Sequence, residues 1–132
     1  MVTTMSSVPL KLFFDGGCRP NPGRIEIGVV VRGVTHILDD CGHGTNSDAE
    51  WLAAIHALRV ARELGAVSVD LRGDSALVVG QARGTARCRS AELRAHRDAF
   101  QALAATFETV KIRHVGRSHN LAGIALARLH PR

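Results

Sequence analysis

The spacing of apolar residues lengthens once near residue 47 and shortens again after residue 65. No other feature limits the fold of this chain so strongly. Leu10, Leu12 and Phe14 alternate with Lys11, Phe13 and Asp15, a period of two that predicts a strand ending near Asp15. The stretch GGCRPNPG, residues 16–23, is dense in glycine and proline and reads as a loop. Residues 25–31 are apolar and β-branched, a second strand. Arg32-Gly33 marks a turn into a third strand over 34–38. After a loop over 39–45 the period changes. Leu52, Ile55, Leu58, Ala61 and Leu64 recur every three residues with Ala54 and Ala57 between them, which predicts an amphipathic helix over 47–64 stopped by Gly65. Val67, Val69 and Leu71 restore the strand period up to about Asp74. A short helix over 75–83, a basic connection over 84–90, a helix over 91–106, a strand over 110–115 and a last helix from Asn120 to about residue 129 complete the pattern. The inner side of the 91–106 helix is marked by Leu93, Phe100 and Leu103, with Phe107 just after it.

The order β-β-β-α-β-α-α-β-α implies a mixed sheet. A three-stranded antiparallel meander comes first, and strands one, four and five then run parallel through helical crossovers. The 132 residues suit one domain, with residues 1–8 a flexible lead-in and residues 9–130 the domain. With 45% hydrophobic and 22% charged residues the chain is neither disordered nor a coiled coil. No apolar run approaches the roughly 20 residues of a membrane span, and residues 1–8 carry no signal-peptide pattern. Cys18, Cys41 and Cys88 form neither a disulfide framework nor a zinc pattern, which points to a reducing cytoplasm. The expectation is a monomer with no membrane and no protein partner.

Seventeen Lys and Arg face twelve Asp and Glu, so the chain is cationic, and a polyanionic partner suits it. Fifteen of the seventeen are arginine, and Arg83, Arg87, Arg89, Arg94 and Arg97 cluster as a candidate phosphate-contacting patch. A coding bias toward G and C also enriches arginine, and the patch also reads as a solvated helix face with its leading loop.

Ligands of open α/β sheets bind outside the carboxyl ends of the parallel strands. Asp15 and Asp74 close two such strands, and Glu50 lies in the first turn of the long helix. Each has a local explanation: Asp15 as a turn residue before Gly16-Gly17, Asp74 as a helix cap, Glu50 as the end of a capping box from Ser47. Three converging carboxylates would repel one another unless a cation compensated, and magnesium with oxygen ligands is the natural one. Carboxylates sharing two such ions are an apparatus for in-line phosphodiester hydrolysis.

The blocks FFDGGCRPNPG, TNSDAEWLAAIHAL, LRGDSALVV and HVGRSHN followed by ALAR resemble the ribonuclease H type 1 family, in order and separation, from about Leu10 to Arg128. The resemblance implies an α/β ribonuclease H-like fold: a five-stranded mixed sheet in the order 3-2-1-4-5 with helices on both faces. It also implies metal-dependent cleavage of the RNA strand of RNA/DNA hybrids, with Mg2+ as cofactor and Mn2+ as a substitute. Asp15 then resembles the acid that bridges both metals, with Glu50 and Asp74 beside the second. Cys18, Asn21, Asn46 and Ser47 occupy places that face the hybrid's minor groove, and Asn46 resembles the reader of a ribose 2′-hydroxyl. The family usually has Asn or Gln at Ser47. Arg117 and Asn120 fit its V-x-R-x-x-N block. The basic 84–90 segment sits where other members insert a longer substrate-binding handle, so the chain resembles the compact form.

One departure stands out. The family pattern continues N-x-x-A-D-x-L-A, which places Ile124 where a fourth catalytic Asp belongs, and no Asp or Glu follows Glu108. Three readings follow. The chain cleaves with altered metal demand, using His119 or His114 as substitute ligand or proton shuttle. It is a non-catalytic hybrid-binding module. Or Ile124 is a core residue of a re-registered last helix. His114 also reads as a packed imidazole within the last strand. Trp51 reads as a stacking platform for a sugar or base, or as core under the helix start. A third class, a small metal-binding acid cluster whose charge reflects coding bias, remains beside enzyme and binding module.

Overall fold

The computed structural model describes residues 8–130. The lead-in expected over residues 1–8 therefore lies, save for Val8, outside the described residues. Strand β1 (Leu10–Cys18) pairs antiparallel with β2 (Gly23–Val31), which pairs antiparallel with β3 (Val34–Leu38). On its other side β1 pairs parallel with β5 (Ser68–Gly73), which pairs parallel with β6 (Thr109–His114). The sheet order is β3-β2-β1-β5-β6, so the expected 3-2-1-4-5 arrangement is present, with β5 and β6 as its fourth and fifth strands. A two-residue strand, β4 (His43–Gly44), adds to β2 inside the segment expected to be a loop.

Alternation assigns the two faces. Leu12, Phe14, Ile25, Ile27, Val29 and Leu71 point to one side, where they form a buried core with α1 (Asn46–Glu63). Most of α1 is buried, because it lies between the sheet and α3 (Ala91–Ala104). Ala49, Ala53, Ala54, Ala57 and Ala61 are all fully buried, and their small side chains admit close neighbours on both sides. The helix α2 (Ala76–Arg83) packs beside them. On the opposite face α4 (Leu121–Ala127) crosses β1 and β2. Helices thus cover both faces.

Several boundaries differ from expectation for physical reasons. Strand β1 continues past Asp15, because Gly16, Gly17 and Cys18 pair with Ile27, Glu26 and Ile25. Glycine is needed at 16: any Cβ there would collide with the Ala49 carbonyl of α1. Asp15 is therefore a strand residue rather than a turn residue. The capping box of α1 belongs to Thr45 and Asp48, not to Ser47 and Glu50. Ser75, not Asp74, caps α2 through a hydrogen bond from the Val78 N–H. Both carboxylates are thus released from the local roles that could have explained them. The last helix ends at Ala127, earlier than its expected end, with Asn120 as its cap.

Candidate active site

The C-terminal half of β1, the end of β5, the first turn of α1 and the first turn of α4 meet at one groove. It has a volume of about 630 Å³ and is lined by Asp15, Cys18, Asn46, Ser47, Glu50, Asp74, Arg117 and Ile124, among others. One carboxylate oxygen from each of Asp15, Glu50 and Asp74 lies within 4.8 Å of the other two. The three acids, distant in sequence, converge as expected.

Each carboxylate is held by a different device. The Gly16 N–H donates to Oε1 of Glu50 at 3.0 Å, tying the start of α1 to β1. Oε2 of Glu50 is buried and has no partner. Asn120, fully buried, donates to Oδ2 of Asp74 at 3.2 Å and to the Phe14 carbonyl at 2.9 Å. Its own Oδ1 accepts from the Ala122 N–H at 3.1 Å and caps α4. Burial pushes the Asp15 carboxyl up to about 6, with the adjacent Glu50 carboxyl opposing the rise and the neighbouring Asp74 charge adding to it. Burial drives Glu50 further, to about 10, helped by the adjacent Asp15 carboxylate.

These features fit a divalent cation. The donor set is all oxygen, the ligand atoms are close enough to share an ion, and one buried oxygen lacks any hydrogen-bond donor. Such a cation would oppose the electrostatics that raise the Asp15 and Glu50 carboxyls above their ordinary range.

The remaining candidates fall into two groups. Cys18, Asn21 and Asn46 form one connected rim. The Cys18 N–H donates to Oδ1 of Asn46 at 3.0 Å, and the Asn46 N–H to Oδ1 of Asn21 at 3.1 Å. Ser47 lines the groove beside them, and Arg117 lines it from the opposite side, where its charge draws the Asp15 carboxyl down. The histidines are not brought in. His114 ends β6 and is exposed rather than packed, and His119 is exposed in the 3-10 turn Arg117–His119 with Nδ1 3.3 Å from Ser118 Oγ. Neither belongs to the acid group found among the described residues, so the substitute-ligand reading has no geometric support. Ile124 is 37% exposed and lines the groove, so it is not the core residue of a re-registered helix.

Two residues escaped sequence reasoning. A Cβ at Gly123 would stand 3.4 Å from Oδ2 of both Asp15 and Asp74, so α4 presents bare backbone to the acids. Glu26 lines the same groove from β2 and bonds His130 at 2.6 Å. The alternation of β2 carried a signal for it, since Glu26 and Gly28 share a face and Gly28 pairs with Asp15.

A mixed sheet in this order, with three carboxylates gathered where β1 and β5 end, defines the ribonuclease H-like class. The chain belongs to the ribonuclease H type 1 family. It matches the family described as Reverse transcriptase-like over residues 13–130. It is 38% identical over 120 residues to the ribonuclease HI of Halobacterium salinarum, covering 87% of this chain and 60% of that protein. A bifunctional protein of Mycobacterium tuberculosis is 34% identical over 119 residues, covering 86% of this chain and 33% of its own length. The chain thus spans less than two thirds of these curated relatives. The crystal structure of ribonuclease H1 from Halobacterium salinarum superimposes with a TM-score of 0.81 at 35% identity, covering 90% of this chain and 94% of that one. A ribonuclease H1 isolated from compost, solved in complex with an RNA/DNA hybrid, gives 0.79 at 28% identity, covering 89% and 92%.

Proposed function

We propose that this chain is a metal-dependent endonuclease that hydrolyses the RNA strand of RNA/DNA hybrids, with Asp15, Glu50 and Asp74 holding Mg2+ or, in its place, Mn2+. One observation carries the reading: three carboxylates from separate elements approach within 4.8 Å, and one of their buried oxygens has no partner. The hybrid-bound relative supports the substrate class.

When bound, the divalent ions supply Lewis-acid activation and neutralise charge building at the phosphorus. The chain's own groups do the rest. Asn46, held by the Cys18 N–H, and Asn21, held by the Asn46 N–H, present amides at the groove rim to contact the ribose-bearing strand. Arg117 places a cation beside Asp15, where a scissile phosphate would lie. Asn120 fixes Asp74 and seats α4.

A second reading rests on Ile124. An apolar side chain in the groove, on a helix with no acid, suits a module that binds hybrids without cutting them. Cleavage of an end-labelled hybrid with Mg2+ and with Mn2+, beside Asp15→Asn, decides between them. Product that disappears in Asp15→Asn supports the nuclease. Binding without product above that control leaves the module.

A further inference from the structure

The sheet has a second feature that the groove does not use. On the face opposite α1, strand register lines up two rows of side chains. Lys11, Asp70 and Lys111 are adjacent across β1, β5 and β6, and Phe13, Arg72 and Arg113 form the next row. The rows are roughly 6.6 Å apart, two residues along each strand. The residue after Phe13 on this face of β1 is Asp15, so the rows run up to the acid groove. Helix α4 packs on the same face chiefly over β1 and β2, with a smaller contact to β3. The β5–β6 half is left to its own side chains, and Lys11, Lys111 and Arg113 are exposed.

Four cations share this half-face with one carboxylate. Asp70 is 8% exposed and holds two of them, accepting from Arg72 Nη2 at 3.1 Å and pairing with Arg113 Nε at 3.7 Å. The acid therefore orients both guanidinium groups without matching the total charge. Lys11 and Lys111 are the only lysines in the chain. Among the described residues neither forms an ion pair, and the Lys11 ammonium rests 5.9 Å from the Phe13 ring centre. Cations gathered on neighbouring strands repel one another. A polyanion laid over them would turn that repulsion into attraction.

We infer that this open half-face carries the phosphate backbone of nucleic acid running on from the acid groove. The inference rests on the nucleic-acid reading above and extends it to a second surface. The contact is with phosphates, so it adds affinity and register without base preference.

The test uses the full chain with a fluorescent hybrid whose RNA strand is 2′-O-methylated against cleavage, in a short form confined to the groove and a long form reaching past it. Anisotropy titrations across a KCl series compare wild type with Lys11→Gln/Lys111→Gln/Arg113→Gln. A control removes three exposed arginines elsewhere, Arg32→Gln/Arg59→Gln/Arg62→Gln. The expected result is binding of the long hybrid about tenfold weaker at low salt, with a log–log salt slope shallower by about 2, in the first triple variant alone. Short-hybrid binding should be unchanged. An unaltered slope, or an equal loss in the control, overturns the inference while leaving the nuclease reading intact. A wild type that binds neither hybrid overturns both.

Discussion

The side-chain amide of Asn120 bonds Oδ2 of Asp74 at 3.2 Å while its oxygen accepts the Ala122 N–H at 3.1 Å, so one buried residue seats a helix and aims a carboxylate. Its third bond, to the Phe14 carbonyl at 2.9 Å, anchors both to β1. Asn120→Ala leaves that carbonyl and the first turn of α4 without their donor and acceptor. Expected losses are about 2–3 kcal/mol of stability and at least tenfold in cleavage. Thermal unfolding and hybrid cleavage below the melting range check both. A variant with full stability and full rate would show that Asp74 keeps its position unaided.

The periods of two and of three to four exposed the strands and helices, because each element buries one face against the same core. Asp15, Glu50 and Asp74 were legible because the residue pattern puts each at or near the end of an expected element, although β1 runs three residues past Asp15. What escaped depended on contacts between distant segments. The end of β1 is set by α1 passing over Gly16, which glycine-rich spacing mimics as a loop. The exposure of His114 follows from β6 being the edge strand, a property of sheet order rather than of local pattern. The capping box over Thr45 and Asp48 uses the same kinds of residue two positions earlier than the one expected from Ser47. Gly123 and Glu26 join the groove only through the seating of α4 and the register of β2 on β1.

Metal-free protein should lose stability as pH rises. Asp15 has an ordinary pKa of 3.8 and is raised to about 6, and Glu50 goes from 4.5 to about 10. Below about pH 4 both are protonated folded and unfolded, and neither costs anything. Above it the unfolded chain releases protons that the folded site retains, so stability falls until each folded pKa is passed. The melting temperature of Asp15→Asn minus that of wild type, in chelator, should grow from near zero at pH 4 to on the order of 5 °C at pH 8. Added Mg2+ should shrink or reverse the difference, since the ion binds the folded acids. A difference flat with pH would remove the electrostatic strain inferred at this site.

Trp51 is fully buried, stacks edge-on with Phe100 at 5.7 Å and donates through Nε1 to Gln81 Oε1 at 3.2 Å. It is core under the helix start, not a platform for a base. Trp51→Phe keeps most of the ring packing but orphans the Gln81 oxygen. A loss of about 1–3 kcal/mol in chemical denaturation is expected, with KM for hybrid unchanged. A rise in KM without loss of stability would return Trp51 to the substrate surface.

Ile124 lines the groove and is 37% exposed, so a carboxylate there replaces no packed core contact. Ile124→Asp places a fourth oxygen ligand on α4, one residue from the bare backbone that faces Asp15 and Asp74. Two effects of opposite sign are expected. Without metal, the added charge joins three acids and lowers the melting temperature. With Mn2+, the extra ligand tightens binding by about tenfold or more and raises cleavage by at least as much. Ile124→Asn, similar in size to Asp but uncharged, should show neither. Calorimetric titration of Mn2+ into the three proteins separates ligand gain from rate. An Asp variant that binds Mn2+ no better than the Asn variant would mean that position 124 lies beyond reach of the ion, and that the wild-type groove works with three carboxylates.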